Sequence, residues 1–110
     1  MSARLSADFR LAAYRARLAA ASMPFYVVAR GDETAGAFLV KVATLDGRAR
    51  LFSEISDLER GRVWTEVAEG PEAEIDDAAR RRRATDPDLW VIEVEDRAGG
   101  GLIDGPDPAL

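Results

Sequence analysis

Residues 37–54, AFLVKVATLDGRARLFSE, place an Asp-Gly pair between two segments rich in aliphatic and β-branched residues. An Asp-Gly pair favours a tight turn because glycine adopts positive φ angles at no steric cost. The pattern predicts a β-hairpin with strands over 37–45 and 48–54. Any fold of this chain is therefore expected to contain an antiparallel pair of strands.

Three further segments have the composition of β-strands. They are FYVVAR (25–30), RVWTEVA (62–68) and LWVIEVED (89–96), and a short edge strand is expected at 102 and 103. The alternating pattern of 62–68 favours a strand, with a short helix as the alternative. In the last long segment, alternation places the carboxylates of Glu93 and Glu95 on the face opposite the core residues, where we expect solvent.

Residues 7–22 are predicted to form the first of two helices. They are good helix formers that follow Ser6, a typical N-cap residue, and they carry Asp8 in the first turn. Their apolar residues form two stripes, one of Leu11, Tyr14, Leu18 and Ala21 and one of Phe9, Ala13, Ala16 and Ala20. We expect the sheet and the second helix to cover both stripes, and the alternative is a homodimer contact through this N-terminal helix.

The second helix is predicted to begin at Pro71 and to end before the TDPD turn at 85–88. Its last turn holds four consecutive arginines, Arg80–Arg83, where the helix dipole favours cations. Asp76 and Asp77 lie four residues before the first two of these arginines, a spacing that predicts ion pairs. The arginine run therefore has a sufficient structural explanation.

Together these elements predict one α+β domain over residues 1–103. Its order is α-β-β-β-β-α-β, with a mostly antiparallel sheet of about five strands and two helices. Residues 104–110, DGPDPAL, are rich in Gly and Pro, and we expect a flexible C-terminal tail there.

Composition excludes several classes of function. The chain has no histidine and no cysteine, which removes thiolate nucleophiles, disulfides and the commonest general base and transition-metal ligand. Only oxygen ligands remain, and we expect no bound metal and no cofactor. The net charge of -5 disfavours binding to polyanions. No segment has the pattern of a membrane span or of a secretory signal, so a cytoplasmic location is expected.

Two long motifs stand out, ARGDETAGAFLVKVATLDG at 29–47 and RRRRATDPDLWVIEVEDRAG at 80–99. Both resemble a family of small alphaproteobacterial proteins catalogued as a domain of unknown function, and the order of elements is similar over most of residues 5–103. The resemblance implies no activity. Members of that family often carry basic and aromatic residues after the final glycines, whereas this chain reads GGLIDGPDPAL.

The arginine run and the strand carboxylates are two candidate sites. Arg80–Arg83 form a basic patch suited to single-stranded nucleic acid, although a salt-paired helix end is the simpler interpretation. Glu93 and Glu95 project from one strand face, which is also the solvent-facing pattern of an ordinary antiparallel sheet. Together with Asp32, Glu33 and Lys41 on a neighbouring strand, they would form the site of a magnesium-dependent hydrolase.

The glycine-flanked loop and one arginine complete the candidates. Loops carry binding residues more often than strands do, so Asp32 and Gly36 are the residues predicted for a binding loop. Arg82 is predicted to lay its stem across the core edge and to pair with Glu93 or Glu95. Charges around the second helix would then satisfy one another. We therefore expect no catalytic residues and a non-enzymatic module that binds an unknown protein partner, with a nucleic-acid-associated protein as the alternative.

Overall fold

The structure, a computed structural model, describes residues 6–103 apart from the side chain of Ser56, and the predicted tail at 104–110 lies outside them. Helix α1 spans Ala7–Ala20 and α2 spans Glu72–Thr85; the strands are β1 (Phe25–Ala29), β2 (Phe38–Ala43), β3 (Arg48–Asp57), β4 (Gly61–Pro71) and β5 (Trp90–Glu95). The predicted α+β class and element order are confirmed. Of the helices in the described range, neither α1 nor α2 has the length and apolar character needed to span the bilayer.

Within the described residues, the five strands form one sheet in the spatial order β1-β5-β2-β3-β4. Three pairings are antiparallel, and the pairing of β5 with β2 is parallel. The sheet is therefore mostly antiparallel, the predicted hairpin joins β2 to β3, and the segment 62–68 is a strand within β4. The last strand of the chain lies between β1 and β2, so β1 and β4 are the two edges.

Helix α1 covers one face of the sheet. Its start is fixed by the Ser6 hydroxyl, which accepts a hydrogen bond from the Phe9 amide at 3.2 Å. The buried side of α1, with Leu11, Tyr14 and Leu18, packs against alternate residues of β2 and β5. These strand residues are Phe38, Val40, Val42, Trp90, Ile92 and Val94. This cluster is the larger of the two cores, and apolar burial contributes roughly 25 cal/mol for each Å² removed from water.

Helix α2 covers the opposite face of the sheet. The second core layer consists of Leu39, Ala49, Leu51, Ile75, Ala79 and Val91. The face of β5 that carries Glu93 is thus covered by a helix, and the expectation that this face meets solvent is wrong. The prediction assumed that Glu93 faces solvent because it is acidic. Its partner is instead a buried lysine, Lys41, on the neighbouring strand β2.

The second apolar stripe of α1 is not covered by any element among residues 6–103. Phe9 is 56% exposed, and Ala16 and Ala20 are also exposed. Because α2 packs on the other face of the sheet, the prediction that the sheet and α2 cover both stripes is wrong. The homodimer contact through the N-terminal helix stays a prediction.

Some element boundaries differ from the sequence prediction. Strand β2 ends at Ala43, because Leu45 has a φ angle of 64° and belongs to the turn. Leu102 and Ile103 form no strand: Leu102 lies in a turn with a φ angle of 58°, and Ile103 is 2% exposed in the core beneath α1. The end of the described chain therefore contributes to packing and not to the sheet.

A buried ion pair links α1 to β3. The Arg10 guanidinium donates hydrogen bonds to both carboxylate oxygens of Glu54, and Arg10 is only 2% exposed. One Glu54 oxygen also accepts a hydrogen bond from the Phe38 amide at 3.0 Å. The guanidinium carbon lies 4.6 Å from the centre of the Phe38 ring. The pair therefore holds α1 over the beginning of β2.

Candidate functional site

Strand β1 is an open edge of the sheet with an apolar surface. Tyr26 is 52% exposed and Val28 is 60% exposed, although both are large hydrophobic residues on a strand. The Pro24 carbonyl accepts a hydrogen bond from the amide of the last β5 residue at 3.0 Å. Because hydrogen bonding alternates along an antiparallel strand, the amides and carbonyls of Phe25 and Val27 point away from β5. This edge has the main-chain groups needed to accept another strand.

A pocket, which we name the edge groove, lies between β1 and α2. Helix α2 packs mainly over β2, β3, β4 and β5, and the face of β1 beside it is left open. A β-bulge between Val27 and Ala29 brings Val28 into the wall of this opening. The groove has a volume of about 390 Å³. Its apolar lining residues are Val28, Ala29, Ala79, Ala84 and Val91, and its charged ones are Lys41, Asp76, Arg80, Arg83 and Glu93.

Lys41 is the buried cation of the edge groove. Its ammonium group donates hydrogen bonds to Asp76 at 2.6 Å, to Glu72 at 2.7 Å and to Glu93 at 3.2 Å. Burial lowers the pKa of Lys41, but these hydrogen bonds and the charge of Glu93 outweigh burial, so the pKa lies above its ordinary value. A nucleophilic lysine needs the neutral amine. Lys41 is instead a fixed positive charge that joins α2, β2 and β5.

We expect the free energy of unfolding to fall as the pH rises above about 10. Burial raises the pKa of the Tyr14 hydroxyl, and the pKa of Lys41 is also raised. Above that pH the unfolded chain loses both protons while the folded chain keeps them, so a rising pH favours unfolding. Urea unfolding at a series of alkaline pH values measures this decline, and Tyr14→Phe should flatten part of it. A constant stability through this range would contradict both shifts.

Arg83 is fixed in the wall of the edge groove. Its Nε atom donates a hydrogen bond to the Leu89 carbonyl at 3.0 Å, and its Nη2 atom donates to the Arg30 carbonyl at 2.8 Å. Within residues 6–103 it forms no ion pair with a carboxylate. Main-chain oxygens therefore position this guanidinium, and none of the carboxylates that the structure describes neutralises its charge.

The other arginines of α2 only partly satisfy the predicted charge pairing. Arg80 pairs with Asp77, three residues earlier, rather than with the predicted Asp76. Arg81 is exposed and forms no ion pair in the described part of the chain, so its predicted pairing with Asp77 is wrong. The acid that was expected to hold Arg80 is instead a partner of Lys41.

Arg82 lies on the flank of α2 that faces β3. It lines a shallow depression with Ser53, on the other side of the helix from the edge groove. Glu93 bonds to Lys41, and Arg82 is exposed without an ion pair among residues 6–103. The predicted pairing of Arg82 with Glu93 or Glu95 is therefore wrong. The helix turns Arg82 away from β5, because residues in adjacent positions point in different directions.

The glycine-flanked loop at 31–36 is tied to the start of β5. The Asp32 carboxylate accepts hydrogen bonds from two amides of the loop itself, at 2.6 and 3.1 Å. The Asp32 carbonyl accepts a hydrogen bond from the indole N–H of Trp90 at 2.8 Å. The Asp32 amide donates a hydrogen bond to the Asp88 carbonyl at 3.0 Å. The Gly36 amide also donates to the Asp32 carbonyl, at 3.2 Å. Hydrogen bonds thus join the two motifs on which the family resemblance rests. A binding role for Asp32 and Gly36 stays a prediction.

The carboxylates considered for metal-dependent chemistry lie in separate surroundings. Glu93 is held by Lys41, and the Asp32 carboxylate is turned into its own loop. Glu95 forms no hydrogen bond or ion pair through its side chain among residues 6–103. Across that range, no group of three or more acidic side chains is placed to hold a metal ion. The convergence that a magnesium-dependent hydrolase requires is not found in this part of the chain.

Sequence reasoning missed the edge groove and the role of Lys41. The run FYVVA in β1 has no charged residue, which is the pattern of a strand buried in a sheet rather than of an edge. Lys41 is the only lysine of the chain and interrupts an apolar strand. A lone charge in such a strand is a signal for buried acidic partners, because an unpaired buried charge is costly.

The comparisons agree with this fold. The model of the family described as Protein of unknown function (DUF1491) matches residues 5–104. The crystal structure of a DUF1491 family protein from Caulobacter crescentus CB15 is 39% identical, with a TM-score of 0.83, and the match covers 94% of this chain and 98% of that one. An NMR structure of a DUF1491 family protein from the same organism is 37% identical, with a TM-score of 0.80, covering 96% and 97%. The solution structure of a protein from A. tumefaciens is 29% identical, with a TM-score of 0.77, covering 96% and 99%.

No curated protein matches this chain. The family model and both Caulobacter structures extend over nearly all of it. The resemblance inferred from the two motifs is confirmed, and the chain belongs to the DUF1491 family, proteins of unknown function.

Proposed function

We propose that this protein is a non-enzymatic interaction module of the cytoplasm that binds an extended segment of a partner protein along β1. The segment would add to the sheet as a further strand, and its alternate side chains would enter the edge groove. The observation that carries the proposal is an apolar open edge directly beside a pocket. A cysteine-free chain suits the reducing cytoplasm, where disulfides are rare.

Strand addition needs two features, and both are present at β1. Main-chain groups at the edge provide affinity, and pockets for alternate side chains provide specificity. Phe25 and Val27 direct their amides and carbonyls outward, while Tyr26, opposite Glu93, and Val28 offer apolar contact on the α2 side. Edge strands of other proteins are commonly protected by charges. Strand β1 has no charged residue, whereas the other edge strand, β4, has several.

A nucleic-acid partner has weaker support. Arg81 and Arg82 are exposed and form no ion pairs among residues 6–103. Phosphate binding depends on several cations acting together, and the chain as a whole has a net charge of -5. This alternative stays a prediction.

Val28→Arg should strongly weaken partner binding. The new side chain would place a charge at the wall of the edge groove and beside the open edge, where binding requires apolar contact. Tagged wild-type and variant chains are incubated with lysate of the native organism, and captured proteins are quantified by mass spectrometry. We expect the proteins captured by the wild type to fall by about tenfold or more, which corresponds to loss of one strong interface contact.

Thr65→Arg is the matched control. It adds the same charge at an exposed position of the opposite edge strand, β4. This variant should capture the same proteins as the wild type, and melting curves should confirm that both variants are folded. Unchanged capture by Val28→Arg would contradict the proposal.

A further inference from the structure

We infer that the segment bound along β1 carries an acidic side chain whose carboxylate binds Arg83, at the end of the edge groove near Ala29. The inference rests on the proposed function and names the chemistry of its partner. It follows from the state of Arg83, from the uneven charge of the groove and from the sequence of β1 itself.

Hydrogen bonds within the protein hold the Arg83 guanidinium in the absence of a partner. Arginine presents five N–H donors in one plane, and the hydrogen bonds to the Leu89 and Arg30 carbonyls use two of them. Three donors remain, on Nη1 and Nη2, and no carboxylate within residues 6–103 pairs with them. Two N–H groups at that end of the guanidinium match the two oxygens of a carboxylate. Because Arg83 is already held, binding would cost little side-chain entropy.

The charge of the edge groove differs between its two ends. At one end, three carboxylates surround Lys41, and Glu93 lies opposite Tyr26 of β1. This end has an excess of negative charge and disfavours another acid. At the other end, where Ala29 lies opposite Val91, the groove has Arg83, which bonds to the Arg30 carbonyl and pairs with no carboxylate of residues 6–103. Arg80 also lines the groove, but it is paired with Asp77. A carboxylate is therefore favoured at the Ala29 end.

The remainder of the groove selects an apolar side chain. Its lining between the charged residues comes from valine and alanine side chains of β1, β5 and α2. A volume of about 390 Å³ accommodates a large aliphatic or aromatic side chain. Residues two positions apart on a strand point to the same face. The partner segment should therefore carry its acidic residue two positions from a large apolar residue.

The β1 strand of a second copy does not supply that carboxylate. Residues 25–29, FYVVA, contain no acidic residue, so a second β1 added along the edge would bring no acid to Arg83. The charge of the groove thus favours a different protein over self-association at this edge.

Peptide display tests the inference. A library of random peptides long enough to span β1 is selected on the immobilised full-length chain, and enriched peptides are tested against Val28→Arg. We expect the enriched sequences to share an Asp or Glu two positions from a large apolar residue. Their binding should be lost on Val28→Arg.

A double-mutant cycle isolates the contact with Arg83. We compare one enriched peptide with a second form in which its Asp or Glu is replaced by the matching amide, Asn or Gln. Each form is titrated against the wild type and against Arg83→Gln. The amide should lower the affinity of the wild type by about tenfold or more, and should have little effect on Arg83→Gln. Arg81→Gln, which changes an exposed arginine outside the groove, should discriminate like the wild type. If Arg83→Gln fails to fold, Arg83→Lys replaces it, and we expect partial discrimination.

Each outcome has a distinct meaning. Peptides that bind the edge groove without an acid preference would overturn this inference and leave the proposed function standing. A selection that yields no peptide sensitive to Val28→Arg would overturn both. Concentration-dependent dimerisation that Val28→Arg abolishes would show that a second copy occupies the edge, and it would also overturn the inference.

Discussion

Gly31→Ala should destabilise this domain by about 3 kcal/mol or prevent its folding. An added Cβ atom would collide with the Asp88 carbonyl oxygen, and it would lie 2.6 Å from the Leu89 carbonyl carbon and 2.7 Å from Cδ1 of Trp90. Two of these neighbours are backbone atoms, and Trp90 is fully buried, so no neighbour can move at low cost. Urea unfolding of the variant measures the loss.

Gly70→Ala is the matched control for this substitution. Gly70 is buried in strand β4, but an added Cβ would meet only Oε2 of Glu74, at 3.4 Å, at the end of a flexible side chain. We expect this variant to keep nearly the stability of the wild type. If both alanine variants unfold at the same urea concentration, the close packing of the loop against the start of β5 is refuted.

Removal of one partner from the Arg10–Glu54 pair should cost about 3–5 kcal/mol of folding stability. Glu54→Leu leaves a buried guanidinium without this carboxylate, and it also removes the acceptor of the Phe38 amide. Arg10→Leu should cost less, because the Glu54 carboxylate still accepts the hydrogen bond of the Phe38 amide. Its Oε1 atom also lies 3.7 Å from Nη1 of Arg62. Equilibrium urea unfolding of each variant compares the two losses.

The double variant Arg10→Leu with Glu54→Leu distinguishes the pair from its separate parts. Two apolar side chains remove both buried charges together, so the double variant should be more stable than Glu54→Leu alone. Losses that simply add would show that the two residues act independently, contrary to their bidentate contact.

Local signals in the sequence predicted most of the elements correctly. Ser6 forms the N-cap of α1, and the Asp-Gly pair at 46 and 47 lies in the hairpin between β2 and β3. These features depend on residues close together in the chain, and their backbone preferences act locally. Even there, Leu45 lies in the turn rather than in the strand. The prediction placed it in the strand because it assumed the shortest possible loop.

The candidate site depends on contacts between residues far apart in sequence, which local patterns do not predict. Which strand lies at an edge follows from how strands pair, and β1 pairs with a strand from the other end of the chain. Arg83 is positioned by the main-chain carbonyl groups of Arg30 and Leu89. Because every residue has such a group, the sequence does not mark these two as its partners. Glu93 binds Lys41 rather than Arg82 because of the way in which α2 packs on its face of the sheet.

The position of β5 has a consequence for synthesis of the protein on the ribosome. Among the strands that the structure describes, β1 pairs only with β5, and residues 90–95 follow most of the domain in the sequence. Until they emerge, the apolar strand FYVVA has no hydrogen-bonding neighbour on either side. Contacts between such distant segments also form slowly. We expect β1 to stay unpaired until β5 has emerged, and an unpaired apolar strand is prone to aggregation during that time.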